Sequence, residues 1–163
     1  MARRKQSAGI LAYRLRTDGL EVFLVHPGGP YWSRKDAGAW SIPKGEFEDN
    51  EDPLAAAQRE FAEETGFHLA GEFRKLTSRK QRSGKVIHAW ALEAEVDVAN
   101  LRSNTFTIEW PPRSGITAVF PEVDRGEWFG IATAMQKIND GQRGFLEELQ
   151  DLLTGQRSDP PSS

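Results

Sequence analysis

GEFEDNEDPLAAAQREFAEETGF, residues Gly45 to Phe67, carries a helix between a start signal and a stop signal. Asp52 can cap the first free backbone amides, and Pro53 suits the first helical position, where its missing N–H would have had no partner anyway. Gly66 suits the left-handed residue that ends a helix. Between these signals Leu54, Ala57 and Phe61 recur at helical spacing and mark a face that packs inward. Glu60, Glu63 and Glu64 fall within an arc of roughly 100° on a neighbouring face. Like charges one turn apart repel, so three carboxylates gathered this way call for a divalent cation or an arginine. A merely solvated acidic face would explain neither the flanking glycines nor the spacing.

The spacing is that of the Nudix box: Gly, five residues, Glu, seven residues, Arg-Glu, an apolar residue, any residue, Glu-Glu, any residue, Gly, and a last apolar residue. Gly45, Glu51, Arg59, Glu60, Phe61, Glu63, Glu64, Gly66 and Phe67 fill every specified position, so the chain resembles the Nudix hydrolases. The resemblance implies an α/β fold, an α/β/α sandwich with a mixed central sheet and the box spanning loop, helix and loop. It also implies cleavage of a phosphoanhydride in a nucleoside diphosphate linked to another moiety.

Carried over by position, Glu60 and Glu64 resemble the principal metal ligands, and Glu63 a further ligand or the base that deprotonates water. Glu51 and Arg59 resemble an orienting ion pair. Gly45 would allow close backbone approach beside the Lys44 carbonyl, a further metal ligand. Glu122, six residues before Trp128, is similar in position to an additional metal carboxylate, with Glu109 beside Trp110 as its competitor. Oxygen ligands of this charge density select hard cations, Mg²⁺ or Mn²⁺, over zinc.

Length and composition narrow the field. At 163 residues, 38% hydrophobic and 28% charged, the chain suits a single domain with a sizeable core. We assign residues 7–154 to that domain, 1–6 to a basic extension and 155–163, rich in Ser and Pro, to a disordered tail. The formal net charge of −3 disfavours nucleic acid as a partner, leaving a small nucleotide handled by local basic groups. With no cysteine, disulfides and thiol chemistry are excluded, and a reducing cytoplasm is the expected location. No apolar run approaches the roughly 20 residues of a membrane span.

Outside the box, Ser7–Leu15 and Glu21–His26 read as a hairpin about Asp18-Gly19. Pro27 to Gly38 reads as a loop delivering side chains to the mouth of the box. Glu72–Ser78 and Val86–Val96 read as strands about a basic turn from Arg79 to Lys85, and Asn104–Trp110 with Ile116–Phe120 as a further hairpin. Ile131–Ile138 and Arg143–Leu153 show helical periodicity, broken at Asn139-Asp140-Gly141. Candidate substrate contacts are Lys44, Arg34, Lys35 and Arg82 for phosphate, and Tyr31 and Trp32 for a base, whereas Trp40 and Trp90 suit the core. Within the family, Trp40-Ser-Ile-Pro-Lys-Gly, the opening strand and Glu127-Trp-Phe look similar to the diadenosine-polyphosphate hydrolase branch. Nucleoside triphosphates are the second substrate class, and a nucleotide sensor without turnover is the non-catalytic alternative.

Overall fold

The computed structural model describes residues 5–158. Its strands in chain order are β1 (Gln6–Arg16), β2 (Gly19–Pro27), β3 (Lys44–Glu46), β4 (Arg74–Lys75), β5 (Arg79–Lys80), β6 (Val86–Glu93), β7 (Thr105–Glu109), β8 (Thr117–Pro121) and β9 (Val123–Gly130). Helix α1 (Pro53–Thr65) follows β3, and α2 (Ile131–Lys137) and α3 (Arg143–Ser158) close the described chain. The main sheet runs β4-β6-β1-β2-β9, with β3 on β1 and β5 on β6. Its β1–β6 pairing is parallel and the others are antiparallel, so the sheet is mixed.

β1 and β2 are apolar on both sides, which is the mark of strands covered on both faces. Ala8, Ile10, Ala12, Phe23 and Val25 pack with Ala56, Ala57 and Phe61 of α1. Leu11, Tyr13, Val22 and Leu24 pack oppositely, with Trp40, Ala134 of α2, and Phe145, Leu146 and Leu149 of α3. Helix, sheet and helices thus form the expected α/β/α sandwich. The caps of α1 are those read from the sequence: Asp52 accepts from Ala55 N–H at 2.9 Å, and Gly66 sits at φ 85°. Trp40 is buried on the α2–α3 side of the sheet, and Trp90 is half-buried against the core on the α1 side.

Four elements depart from expectation. The strand expected over Glu72–Ser78 is reduced to β4, and β5 starts where the basic turn was expected. Thr77 N–H is taken by the Glu148 carboxylate of α3, at 2.9 and 3.1 Å, which leaves the ladder of β6 interrupted there. β9 has no counterpart in the sequence reading, because Asp-Arg-Gly-Glu gives no apolar alternation; antiparallel pairing along β2 from Glu21 to Pro27 supplies its partners. Finally, α3 continues past Gly155 to Ser158, into the stretch assigned to the tail. Residues 1–4 of the expected N-terminal extension and 159–163 of the expected tail lie outside the described residues.

β7 and β8 form a separate two-stranded arm with Phe106 opposite Phe120. No helix among the described residues is long and apolar enough to cross a membrane.

Phe61 is wholly buried, 6.0 Å from the ring of Phe23, and seats α1 on the sheet. Phe61→Ala is expected to cost about 3–5 kcal/mol of unfolding free energy in urea titration. A loss below about 1 kcal/mol, within the range of ordinary surface substitutions, would mean that α1 does not rest on this contact.

Candidate active site

With its apolar face fixed against β1, α1 can point its carboxylates in one direction only. Glu60, Glu63 and Glu64 line a cleft of about 420 Å³ with Lys44, Gly45 and Glu46 of β3. Asn104 and Glu122, from the two ends of the β7–β8 arm, complete it. Backbone bonds join arm to helix: Asn104 N–H donates to the Glu63 carbonyl at 2.8 Å, and Glu122 N–H to the Asn104 carbonyl at 2.7 Å. Gly45 is required for space, since a Cβ there would lie 2.1 Å from Glu60 Cδ. Any other residue would push Glu60 aside.

Arg59 ties the acidic side chains together. Its Nε and Nη2 donate to both oxygens of Glu51 at 2.9 and 3.1 Å, a bidentate pair. Its Nη1 donates to Glu60 at 2.8 Å and to Glu63 at 3.2 Å. The hydrogen bonds from Arg59 hold the Glu51 carboxyl below its ordinary pKa. Glu60 is raised, by burial first and then by Glu63 and Glu122, with Arg59 opposing. Burial pushes Glu64 up to about 8, Glu60 and Glu122 add to this, and Lys44 opposes it. Burial and the neighbouring Lys85 push Lys44 down, while Glu64, Glu46 and Glu60 pull the other way.

The structure separates the two competing carboxylates. Glu109 sits at the far end of β7, where it accepts from the backbone of Arg113 at 3.1 Å and of Gly115 at 2.8 Å, closing the turn of the arm. Glu122 lines the cleft and acts electrostatically on both Glu60 and Glu64. Tyr31, Trp32, Arg34 and Lys35 are exposed on the loop after β2, with Tyr31 edge-on to Trp110 at 5.2 Å and Lys35 Nζ 4.9 Å from the Trp32 ring centre. They are not among the residues lining the carboxylate cleft. Arg82 lines a different cleft with Lys80, Asn139 and Arg143. Asn104 is the lining residue that sequence reasoning missed, for a lone Asn before a strand carries no signal of its own.

The acidic groups lining the cleft offer only oxygen donors, a set that fits a hard divalent ion. Among the described residues no three acidic or imidazole groups already converge at ligand spacing. Glu60 and Glu63 are turned to Arg59 instead.

The NUDIX domain family model matches residues 3–149. The chain belongs to the Nudix family. Among curated relatives, Nudix hydrolase 25 of Arabidopsis thaliana is 62% identical over 29 residues, 18% of this chain and 17% of its own length. An octanoyltransferase of Myxococcus xanthus is 30% identical over 101 residues, 62% of this chain and 25% of its own. The chain therefore spans a quarter or less of these relatives. The NUDIX domain of Shewanella oneidensis NrtR, solved in complex with ADP ribose, aligns with a TM-score of 0.64 at 14% identity, over 94% of this chain and 90% of that one. An Ap4A hydrolase of C. elegans aligns with a TM-score of 0.60 at 20% identity, over 93% and 98%. Likeness at such identities speaks for the Nudix fold.

The raised pKa of Glu64 sets a stability profile. Its folded-state value of about 8 lies above the ordinary 4.5, so its contribution to stability is complete below about pH 4.5 and is lost as pH rises through 8. In chelator, the melting temperature is expected to fall across that window, and Glu64→Gln, always neutral, to remove most of the fall. Parallel pH profiles for the two proteins would contradict the burial of this carboxyl.

Proposed function

We propose that this Nudix protein is a metal-dependent pyrophosphohydrolase cleaving a phosphoanhydride bond in nucleotides. Dinucleoside polyphosphates such as diadenosine tetraphosphate are the first candidates, and nucleoside triphosphates the second. The observation that carries the reading is that Glu60, Glu63, Glu64 and Glu122 line one cleft together with Lys44. The fold shared with the C. elegans Ap4A hydrolase and the Trp40–Gly45 segment support the substrate class.

Glu60 and Glu64 would hold Mg²⁺ or Mn²⁺, with Glu122, Glu63 and the Lys44 carbonyl as further oxygen donors. Such an ion, when bound, neutralises phosphate oxygens and makes water more acidic. Glu63 is more open than Glu60, its side chain 38% exposed against 13%, and so is the better placed of the two to take a proton from an incoming water. Arg59 holds that carboxylate in orientation from one turn away, and Glu51 in turn holds Arg59. The Lys44 ammonium supplies counter-charge for substrate phosphate. Tyr31 and Trp32 offer flat faces to a base, with Arg34 and Lys35 beside them for further phosphates.

The test is a panel of nucleotide anhydrides incubated with Mg²⁺ and with Mn²⁺, products being separated chromatographically. Turnover is expected with either ion and none in chelator. Glu64→Gln is expected to lower kcat by at least about 100-fold with the fold intact, and Glu122→Gln by about tenfold. Glu109→Gln is expected to leave turnover unchanged. Binding without hydrolysis of any member of the panel would overturn the enzymatic reading in favour of a sensor.

A further inference from the structure

His26 is wholly buried at the end of β2, edge-on to Trp40 with ring centres 5.2 Å apart. Its Nδ1 lies 2.8 Å from Asp124 Oδ1, and its Nε2 lies 2.7 Å from the Lys35 carbonyl oxygen. A backbone carbonyl has no proton to give, and neither has an ionised carboxylate, so these two acceptors suit a ring that donates from both nitrogens. Asp124 is brought to it by a bulge. The register of β2 on β9 steps from His26↔Arg125 to Pro27↔Val123, leaving Asp124 as the extra residue, the usual way in which a strand re-aims one side chain.

Charged groups of both signs lie around the ring. Asp124 faces His26 directly, and Arg125 Nε lies 3.8 Å from the same Asp124 oxygen, its guanidinium carbon 5.2 Å from the Trp40 ring centre. Asp36 accepts from Trp40 Nε1 at 2.7 Å and pairs with Lys137 of α2. Of the two groups bonded to the imidazole, one belongs to the loop bearing Tyr31 and Trp32. The other lies two residues beyond Glu122. Gly28 N–H, two residues after His26, donates to the Glu122 carbonyl at 2.9 Å.

We propose that His26 is a positioning residue, a cationic clasp that holds the Tyr31–Trp32 loop and the Glu122 segment in register across the end of the sheet. This rests on the reading of that loop and Glu122 as parts of a hydrolytic site. His26→Asn keeps a donor for Asp124 and gives up Lys35; His26→Gln keeps reach to Lys35 and gives up Asp124. With diadenosine tetraphosphate and Mg²⁺, the Asn variant is expected to raise KM about tenfold with kcat nearly unchanged. It is also expected to speed tryptic cleavage after Arg34 or Lys35. The Gln variant is expected to lower kcat about tenfold, since it frees the Glu122 side. NMR of the wild-type protein is expected to show protons on both ring nitrogens of His26.

A ring carrying one proton would overturn the proposal. So would variants that melt at lower temperature yet keep the native KM, kcat and tryptic pattern, as a purely structural histidine would. Should the wild-type protein hydrolyse no nucleotide, the hydrolytic reading fails, while the NMR and tryptic results still decide on the clasp.

Discussion

Four carboxylates confined to one half-buried cleft repel one another, and much of this molecule is arranged to keep them there. Phe61 and the alanines of α1 lock the helix to β1 and deny Glu60, Glu63 and Glu64 the freedom to turn away. Arg59 answers part of the charge through three neighbours, and Gly45 leaves room for Glu60 where a Cβ would collide with it. Burial, and then the like charge of Glu60, raise the pKa of Glu64 and favour its neutral form. On the function proposed above, a cation bound in this cleft would relieve a cost the fold has already incurred.

The sheet distributes the work between its faces. The face toward α1 carries the acidic cleft, whereas the opposite face, closed by α2 and α3, anchors the segment leading into the box. Gln142, buried between α2 and α3, accepts from Ile42 N–H at 3.0 Å and holds Ser41–Ile42 just ahead of β3. The β7–β8 arm and the loop after β2 are additions at the sheet's end. The arm contributes Asn104 and Glu122 to the cleft, while the loop carries exposed aromatic and basic side chains. Aromatic contacts such as Tyr31 on Trp110 couple the two.

Much of this was legible in the chain. Helix α1, its caps and its three glutamates followed from local spacing, because a helix is set by residues within a few positions of one another; of the expected inward face Ala57 and Phe61 are buried, while Leu54 is only half-buried and Ala56 takes its place. The hairpin of β1 and β2 was readable for the same reason, the tight turn lying between two apolar runs. β9 was not, because its polar sequence is stabilised by a partner strand about 100 residues away. The break between β4 and β5 was equally hidden, since the competing acceptor, Glu148, sits on α3 about 70 residues on. Glu109 and Glu122 could not be ranked by sequence alone, each being a glutamate near a tryptophan; the arm's geometry turns one to its own hairpin and the other to the cleft.

Local order therefore determined which carboxylates share one turn of α1, whereas the roles of Glu51, Arg59 and Gly45 rested on the resemblance to the Nudix box. Only the folded sheet decided what meets that helix from elsewhere in the chain, namely Asn104 and Glu122. The physical reason is the reach of the forces involved. Helix periodicity and capping act over a few residues and are written in sequence order, whereas strand register and the burial of charge depend on neighbours that only tertiary packing supplies.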